Sequence, residues 1–195
     1  MLRARTLVEA YLYIDLTVAA GDDGDLPADF SAMRWATLSE GQEAWTLRFD
    51  GPDTGRRHLI EILVPYQTES EARRDRLRFG PGVSELIDAG QWLSISLAYA
   101  QRALNADLSY AEAPGDEESY TDVVLNWEFA RDAAAEAAKF LPVGADEVPP
   151  EAFWTEPGAA VRAADPERFT RPRLEDDIAF YQQNIDDFTG MFGDR

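Results

Sequence analysis

The sequence predicts an α+β protein in which a three-stranded antiparallel meander is packed by helices and followed by a helical C-terminal half. Three short apolar segments in the first half are separated by turns too short to hold crossover helices, which favours antiparallel pairing. In the second half, apolar residues recur at three- and four-residue spacing, as on helices that bury one face. For 195 residues we expect a single domain, with an α+β core over 1–110 and a helical portion over 111–195 packed on it.

The first half is predicted to start with a helix and continue with strands. Residues 6–18 fit a helical stripe and strict alternation equally well, and the Glu-Ala-Tyr-Leu centre favours a helix. Two turns rich in Gly, Ser, Asp and Pro, at 39–42 and 50–55, separate the strands that follow. Residues 66–82 are interpreted as a polar connector. The three predicted strands are 32–38, 44–49 and 58–65.

Helices are predicted for most of the chain after residue 83. Ser84 is a favourable N-cap for a buried helix ending at Leu104, with Gly90 as a break or a close-packing point. The last helix begins near Arg173, and its large apolar residues form one seam opposite an acidic face. The seam consists of Leu174, Ile178, Tyr181, Ile185, Phe188 and Phe192. Between these helices we expect an acidic linker at 111–119, a long helix at 120–141, and short helical turns at 149–154 and 159–164.

Residue types that the chain lacks exclude several kinds of site. There is no cysteine, which excludes disulfides, iron–sulfur clusters and thiolate zinc sites, and the one histidine, His58, excludes sites that need two. No apolar run approaches the roughly 18 residues of a transmembrane helix, and no apolar region of a signal peptide follows the basic N-terminus. We therefore expect a cytoplasmic protein without a cofactor, a metal ion or a membrane contact.

The chain is strongly acidic, and its charge is uneven. It carries 37 acidic and 18 basic residues, a formal net charge of −19. Residues 105–195 contribute −14 of this charge and residues 1–104 contribute −5. Such a field repels nucleic-acid phosphates and anionic membranes, and it attracts a basic protein at low salt. Acidity also serves solubility, so the charge by itself leaves both interpretations open.

Two charged clusters are the candidate partner-binding residues. The first stands at the start of a predicted helix, where acids complement the helix dipole and are also suited to meet a basic partner. The second places four arginines within six residues, able to grip a phosphate or carboxylate, or to pair with acidic helices of the same chain. The acids are Asp116, Glu117, Glu118 and Asp122, and the arginines are Arg73, Arg74, Arg76 and Arg78.

Two further patterns favour a structural interpretation. Four aspartates within residues 22–29 have the composition of a calcium loop but not its spacing, which favours a solvated loop. His58 together with Ser94 or Ser96 supplies the residue types of a hydrolase triad, but the chain has no nucleophile-elbow pattern. Neither pattern predicts a catalytic residue.

Three stretches carry a resemblance to known proteins: EAYLYIDL at 9–16, SELIDAGQWL at 84–93, and KFLPVGAD at 139–146 with AFW at 152–154. Together they resemble a group of uncharacterised actinobacterial proteins of about this length. In that group, cysteine pairs resembling a zinc ribbon follow the N-terminal helix, whereas residues 18–25 of this chain contain none. The resemblance implies a lost metal site and no particular activity. Its motif residues expected to be packing anchors are Trp92, Phe140, Phe153 and Trp154.

These observations favour a non-enzymatic cytoplasmic protein that binds another protein. The sharpest form of this hypothesis is an immunity or antitoxin-like protein that covers a basic toxin surface. Two alternatives stay open: a carboxylate-using hydrolase of unrecognised type and an acidic mimic of nucleic acid. A hydrolase should show a deep polar pocket, and a mimic should show regularly spaced carboxylates along one face. The sequence predicts no oligomeric state.

Overall fold

The chain has an α+β fold in this computed structural model, which confirms the predicted fold class. It divides into two compact units, Met1–Ile87 and Asp88–Arg195. The predicted internal division lies near residue 110; that both parts form a single domain stays a prediction. The structure describes residues 1–19, 31–53, 56–113 and 115–193.

The strands lie in the first unit and form one mixed sheet. They are β1 (Leu2–Arg3), β2 (Ala36–Glu40), β3 (Ala44–Asp53) and β4 (Arg56–Pro65). Their order is β1-β4-β3-β2, in which β2, β3 and β4 are antiparallel as predicted, and β1 runs parallel to β4. The sheet thus has one strand more than the predicted meander, because a two-residue strand is too short to show any periodicity.

One face of the sheet forms the apolar core of the first unit. Residues opposite each other on neighbouring strands share a face, so Leu38, Leu47 and Ile62 lie in one row. Leu47 and Ile62 are fully buried. Helix α1 (Leu7–Ala19) packs against β3 and β4, which confirms the helix predicted at residues 6–18.

Three boundaries in the first unit differ from the expectation. A short 3-10 helix, Ser31–Trp35, delays the start of β2. The predicted turn at 50–55 is part of β3 as far as Asp53, and residues 54 and 55 lie outside the described residues. The predicted polar connector contains helix α2 (Tyr66–Asp75). Its only buried residues are Glu69 and Ala72, so α2 has no apolar stripe that a sequence pattern would reveal.

The second unit is helical, and its longest helices pack closely through small residues. They are α3 (Ala89–Glu112), α4 (Glu117–Ala138), α5 (Glu156–Ala164) and α6 (Arg171–Phe192). Helix α4 contacts both α3 and α6. Its alanines at 130, 133, 134 and 137 are fully buried, and their small side chains allow close approach of the neighbouring helices.

Helix α3 begins five residues later than predicted because its N-cap is Asp88 and not Ser84. The Asp88 Oδ1 atom accepts a hydrogen bond from the Gln91 N–H at 2.9 Å, and the Gln91 Oε1 atom accepts one from the Asp88 N–H at 3.2 Å. This reciprocal pair is a capping box. Ser84 instead closes a local turn, in which its hydroxyl oxygen accepts from the N–H groups of Leu86 and Ile87.

The same Asp88 carboxylate also positions α5. Its Oδ2 atom accepts hydrogen bonds from the Thr155 N–H at 2.8 Å and the Thr155 hydroxyl at 2.6 Å, and Thr155 in turn is the N-cap of α5. Gly90 and Gly158 meet beside this carboxylate, and a Cβ atom on either would collide with the opposite backbone or with Asp88. Gly90 is therefore the predicted close-packing point and not a break.

The seam of α6 is part of the core of the second unit. Leu174, Tyr181, Ile185 and Phe188 are buried, whereas Ile178 and Phe192 are half-buried. Among the expected packing anchors, Trp92 and Phe153 are buried and Phe140 is half-buried. The expectation for Trp154 is wrong, since the residue is 49% exposed; its ring centroid lies 5.8 Å from that of Phe140.

Shortening the α6 seam should destabilise the protein. Phe188→Ala removes a ring packed against Tyr110 and Tyr120, so the free energy of unfolding should fall by about 3–5 kcal/mol. Ile178→Ala should cost less because Ile178 is half-buried. Urea titration followed by circular dichroism measures both values. Met191→Ala on the exposed side of α6 is the control, with a change of about 0.5 kcal/mol or less. Equal losses for Phe188→Ala and Met191→Ala would contradict this packing.

Removing the Asp88 carboxylate should cost more than removing an ordinary helix cap. Asp88→Ala leaves the Thr155 donors and the Gln91 N–H without their partner in a buried place, so we expect a loss of about 2–4 kcal/mol. Asp116→Ala, which removes an exposed aspartate N-cap from α4, should cost less in the same urea titration. A larger loss for Asp116→Ala would contradict the central role of Asp88.

Candidate functional site

The predicted acidic cluster lies at the start of α4, and its members have different roles. Asp116 is the N-cap: its Oδ1 atom accepts hydrogen bonds at 3.0 Å from both the N–H and the hydroxyl of Ser119. These hydrogen bonds hold the pKa of Asp116 below its ordinary value. Glu117 and Glu118 occupy the first turn of α4 and are exposed. The carboxylate of Asp116 is thus committed to the helix, whereas the two glutamates face solvent.

A cavity of about 250 Å³ opens beside this cluster, between the end of α3 and the start of α4. Small residues make room for it, a tyrosine ring forms one wall, and Asp122 provides the carboxylate. The full lining is Ala106, Ser109, Tyr110, Ala113, Gly115, Ser119 and Asp122. The structure therefore brings Asp122 and the Asp116 cap to one site, with Glu117 and Glu118 in the adjoining turn.

The serine and aspartate side chains at this cavity offer acceptor atoms. The Ser109 hydroxyl donates to the Asn105 carbonyl and the Ser119 hydroxyl donates to Asp116, so each hydroxyl has its lone pairs left for a ligand. The Asp122 carboxylate is exposed, and none of the seven described lining residues is basic. Tyr110 is held in place by ring contacts with Tyr120 and Phe188. Such a lining suits a donor-rich, positively charged group.

The predicted arginine cluster lies in the first unit, at the end of α2. Arg73 pairs with Glu69 of the same helix at 3.0 Å, and Arg74 pairs with its neighbour Asp75 at 2.9 Å. The Arg74 guanidinium helps to hold the pKa of Asp75 below its ordinary value. These contacts are local pairs within α2 and not the expected pairs with acidic helices elsewhere in the chain. Cations at this position complement the negative end of the helix dipole.

Arg76 has an unusual backbone conformation. Its φ of 56° lies in the left-handed region, which glycine occupies at lower cost. The Arg76 N–H bonds to the carbonyls of Ala72 and Arg73 and so closes the helix end. Arg78 lies two residues further on and is half-buried. The arginine segment thus has a structural role at the C-terminal cap of α2.

The residues of the weaker sequence patterns lie in secondary structure or outside the described residues. His58 is half-buried on β4 opposite Gly51, and the Ser96 hydroxyl is buried and donates to the Ala130 carbonyl. The aspartates at 22, 23, 25 and 29 lie outside the described residues. Among the residues that are described, no group of three or more acidic or histidine side chains is placed to hold a metal ion.

Sequence reasoning missed the cavity and the Asp88 cap for different reasons. Ser109, Ser119 and Tyr110 are ordinary helix residues in the sequence, and only the packing of α3 on α4 makes them neighbours. Asp88 carried a usable signal, because an N-cap residue followed three positions later by Gln is a capping-box pattern.

Comparison with protein-family models, with curated proteins and with solved structures found no match to this chain. Within the described residues, no helix is both long and apolar enough to cross a membrane. The case for a function therefore rests on the geometry of the cavity and on the charge around it.

Acid should weaken the contribution of the α4 cap to stability as the pH falls from the ordinary aspartate pKa through the lowered pKa of Asp116. Because the folded-state pKa of Asp116 is lowered, its contribution to stability is present above the unfolded-state pKa and is lost as the pH falls through the folded-state pKa. Ser119→Ala removes the hydroxyl donor, so the pKa of Asp116 should rise towards its ordinary value. Carboxyl NMR titration of the full chain measures this shift. An unchanged Asp116 pKa in Ser119→Ala would contradict the assigned cap.

Proposed function

We propose that this chain is a non-enzymatic protein that binds a basic segment of another protein, and that the cavity between α3 and α4 receives one of its arginine or lysine side chains. The acceptor lining of this cavity is the observation that carries the proposal. A guanidinium or ammonium group brings only donors and a positive charge, which matches the Asp122 carboxylate and the serine hydroxyls.

The lining of the cavity supports a long side chain as the occupant. Arginine and lysine place a charged head at the end of an aliphatic stem, and the stem packs well against apolar surface. Here Ala106, Ala113 and the Tyr110 ring offer that surface, and Asp122 meets the head. Glu117 and Glu118 would then face neighbouring basic residues of the same partner.

The charge of the second unit supports capture of a basic partner. Residues 88–195 hold 22 acidic and eight basic residues, a formal net charge of −14. Typical small domains carry a net charge of magnitude about 2–8. The excess of negative charge steers a basic partner towards the second unit and speeds association at low salt.

The partner class within this proposal is a basic protein, with an immunity or antitoxin-like role as its sharpest form. A cytoplasmic location and the resemblance to the actinobacterial group belong to the same proposal. Nucleic acids and anionic membranes are disfavoured as partners by the negative charge.

The two alternative functions draw less support. A two-carboxylate hydrolase needs a second carboxylate about 5–9.5 Å from Asp122 that is free to act, and the Asp116 carboxylate beside the lining residue Ser119 is committed to capping α4. A nucleic-acid mimic needs regularly spaced charge. The acids of α6 instead fall into two groups, at 175–177 and at 186–187.

A pair of matched peptides tests the proposal. We expect an arginine-rich peptide to bind the full chain more tightly than the same peptide with citrulline in place of arginine, because citrulline keeps the shape and removes the charge. Asp122→Asn should weaken the affinity for the arginine peptide about three- to tenfold, as measured by fluorescence anisotropy. Ala113→Leu, which fills the mouth of the cavity from an exposed position, should weaken it as well.

Charge-matched controls separate the cavity from the general field. Asp176→Asn removes one exposed charge from α6 and should leave affinity nearly unchanged. Glu117→Gln with Glu118→Gln should slow association, and this difference should shrink as salt shortens the Debye length from about 10 Å at 0.1 M to about 3 Å at 1 M. Equal binding of the arginine and citrulline peptides would refute the proposal.

A further inference from the structure

Strand β2 forms an edge of the sheet, open as far as the described residues of the first unit show. It is the terminal strand in the order β1-β4-β3-β2 and pairs only with β3 among the described strands. All of its residues except Ala36 are exposed, including Leu38 at 42%. Met33 and Trp35, just before the strand, are each 47% exposed. The strand carries no lysine, proline or bulge of the kind that protects open edges.

The hydrogen bonding of the hairpin determines which backbone groups of β2 point outwards. The Gly41 N–H donates a hydrogen bond to the Ala44 carbonyl across the β2–β3 turn. From there along β2, residues whose backbone groups bond to β3 alternate with residues whose backbone groups point away from it. Ser39 and Thr37 therefore direct their N–H and carbonyl groups towards β3. Ala36, Leu38 and Glu40 direct theirs away from the sheet, where they are available to another strand.

We infer that a second copy of this chain adds its own β2 to this edge, antiparallel and centred on Leu38, to form a symmetric dimer with a continuous sheet. In this arrangement Leu38 faces its counterpart, and Ala36 faces Glu40 of the other copy. Each facing pair has its backbone groups directed outwards, so each exchanges two hydrogen bonds. With Leu38 at the centre, all three residues with outward-directed backbone groups pair with their counterparts in the other copy.

The side chains favour the same arrangement. Leu38 shares its face of the sheet with the buried Leu47 and Ile62, so two facing Leu38 side chains would extend the apolar row across the dimer. No like charges face each other along the strand.

The charges at the two ends of β2 favour antiparallel over parallel pairing. Arg34 precedes the strand, and Glu40 ends it, so an antiparallel partner brings the basic end of one copy beside the acidic end of the other. The first unit carries 15 acidic and ten basic residues, a formal net charge of −5. The repulsion between copies is therefore weaker through this unit than through the second, whose charge is −14.

Sedimentation velocity of the full chain over a range of concentrations tests the dimer. We expect the wild-type chain to reach twice the monomer mass with rising concentration. Leu38→Lys places a charge at the centre of the edge and should raise the dimer dissociation constant by more than about tenfold. Leu59→Lys, at an exposed leucine on the opposite face of β4, makes the same chemical change and should leave the dimer intact. A wild-type chain that stays monomeric, or a dimer lost in Leu59→Lys and kept in Leu38→Lys, overturns the inference.

Cross-linking tests the centre of the dimer without a charged substitution. The native chain has no cysteine, so Leu38→Cys introduces a single thiol per copy. Facing residues of a hydrogen-bonded antiparallel pair have Cα atoms about 5.5 Å apart, within reach of a short bis-maleimide. We expect Leu38→Cys to give a covalent dimer and Leu59→Cys to give little. Equal cross-linking of the two variants overturns the inference, as does a dimer that cross-links only through Leu59→Cys. Both tests are independent of the basic-partner proposal, because they need no partner and use no residue of the second unit.

Discussion

The second unit depends on one buried carboxylate. Asp88 is fully buried, and its two oxygens accept three hydrogen bonds that come from Gln91 and Thr155. A carboxylate in such a place is stable only if it is hydrogen-bonded in this way, and the N-termini of two helices supply both the donors and a favourable dipole. The start of α3 and the start of α5 are thereby held against each other, and Gly90 and Gly158 provide the space for that approach.

The candidate site lies at the C-terminal end of α3. From the Asp88 anchor the helix extends over 24 residues to Glu112, where it meets the start of α4. Ala113 departs from helical geometry and Asp116 begins the next helix, and small residues from both helix ends line the cavity. The packing of Tyr110 against rings from α4 and α6 keeps one wall of this cavity in place. The acceptor character of the cavity thus arises from serine and aspartate side chains at two adjoining helix ends.

The two proposed contacts depend on different interactions and lie in different units. The cavity in the second unit offers charge and acceptor groups to a basic side chain, so its strength depends on salt. The open edge of β2 in the first unit offers backbone hydrogen bonds and an apolar row, which depend little on salt. They share no residue, and a partner bound at one does not compete for groups used at the other.

The sequence by itself determined the features that depend on local pattern and on total charge. Periodicity located β3, β4 and the α6 seam, residue types favoured the helix at α1, and charge counts located the acidic half. Alternation, helical spacing, residue type and charge are all properties of neighbouring residues. Only the tertiary structure decided which residues work together. β1 exists because it pairs with β4, α2 is nearly featureless in its hydropathy, and Trp154 is exposed despite its apolar sequence context. Asp116 and Asp122 look alike in the sequence, yet one is committed to capping α4 and the other lines a cavity. That distinction depends on how α3 packs against α4, which no short stretch of sequence encodes, since the contacts join residues far apart in the chain.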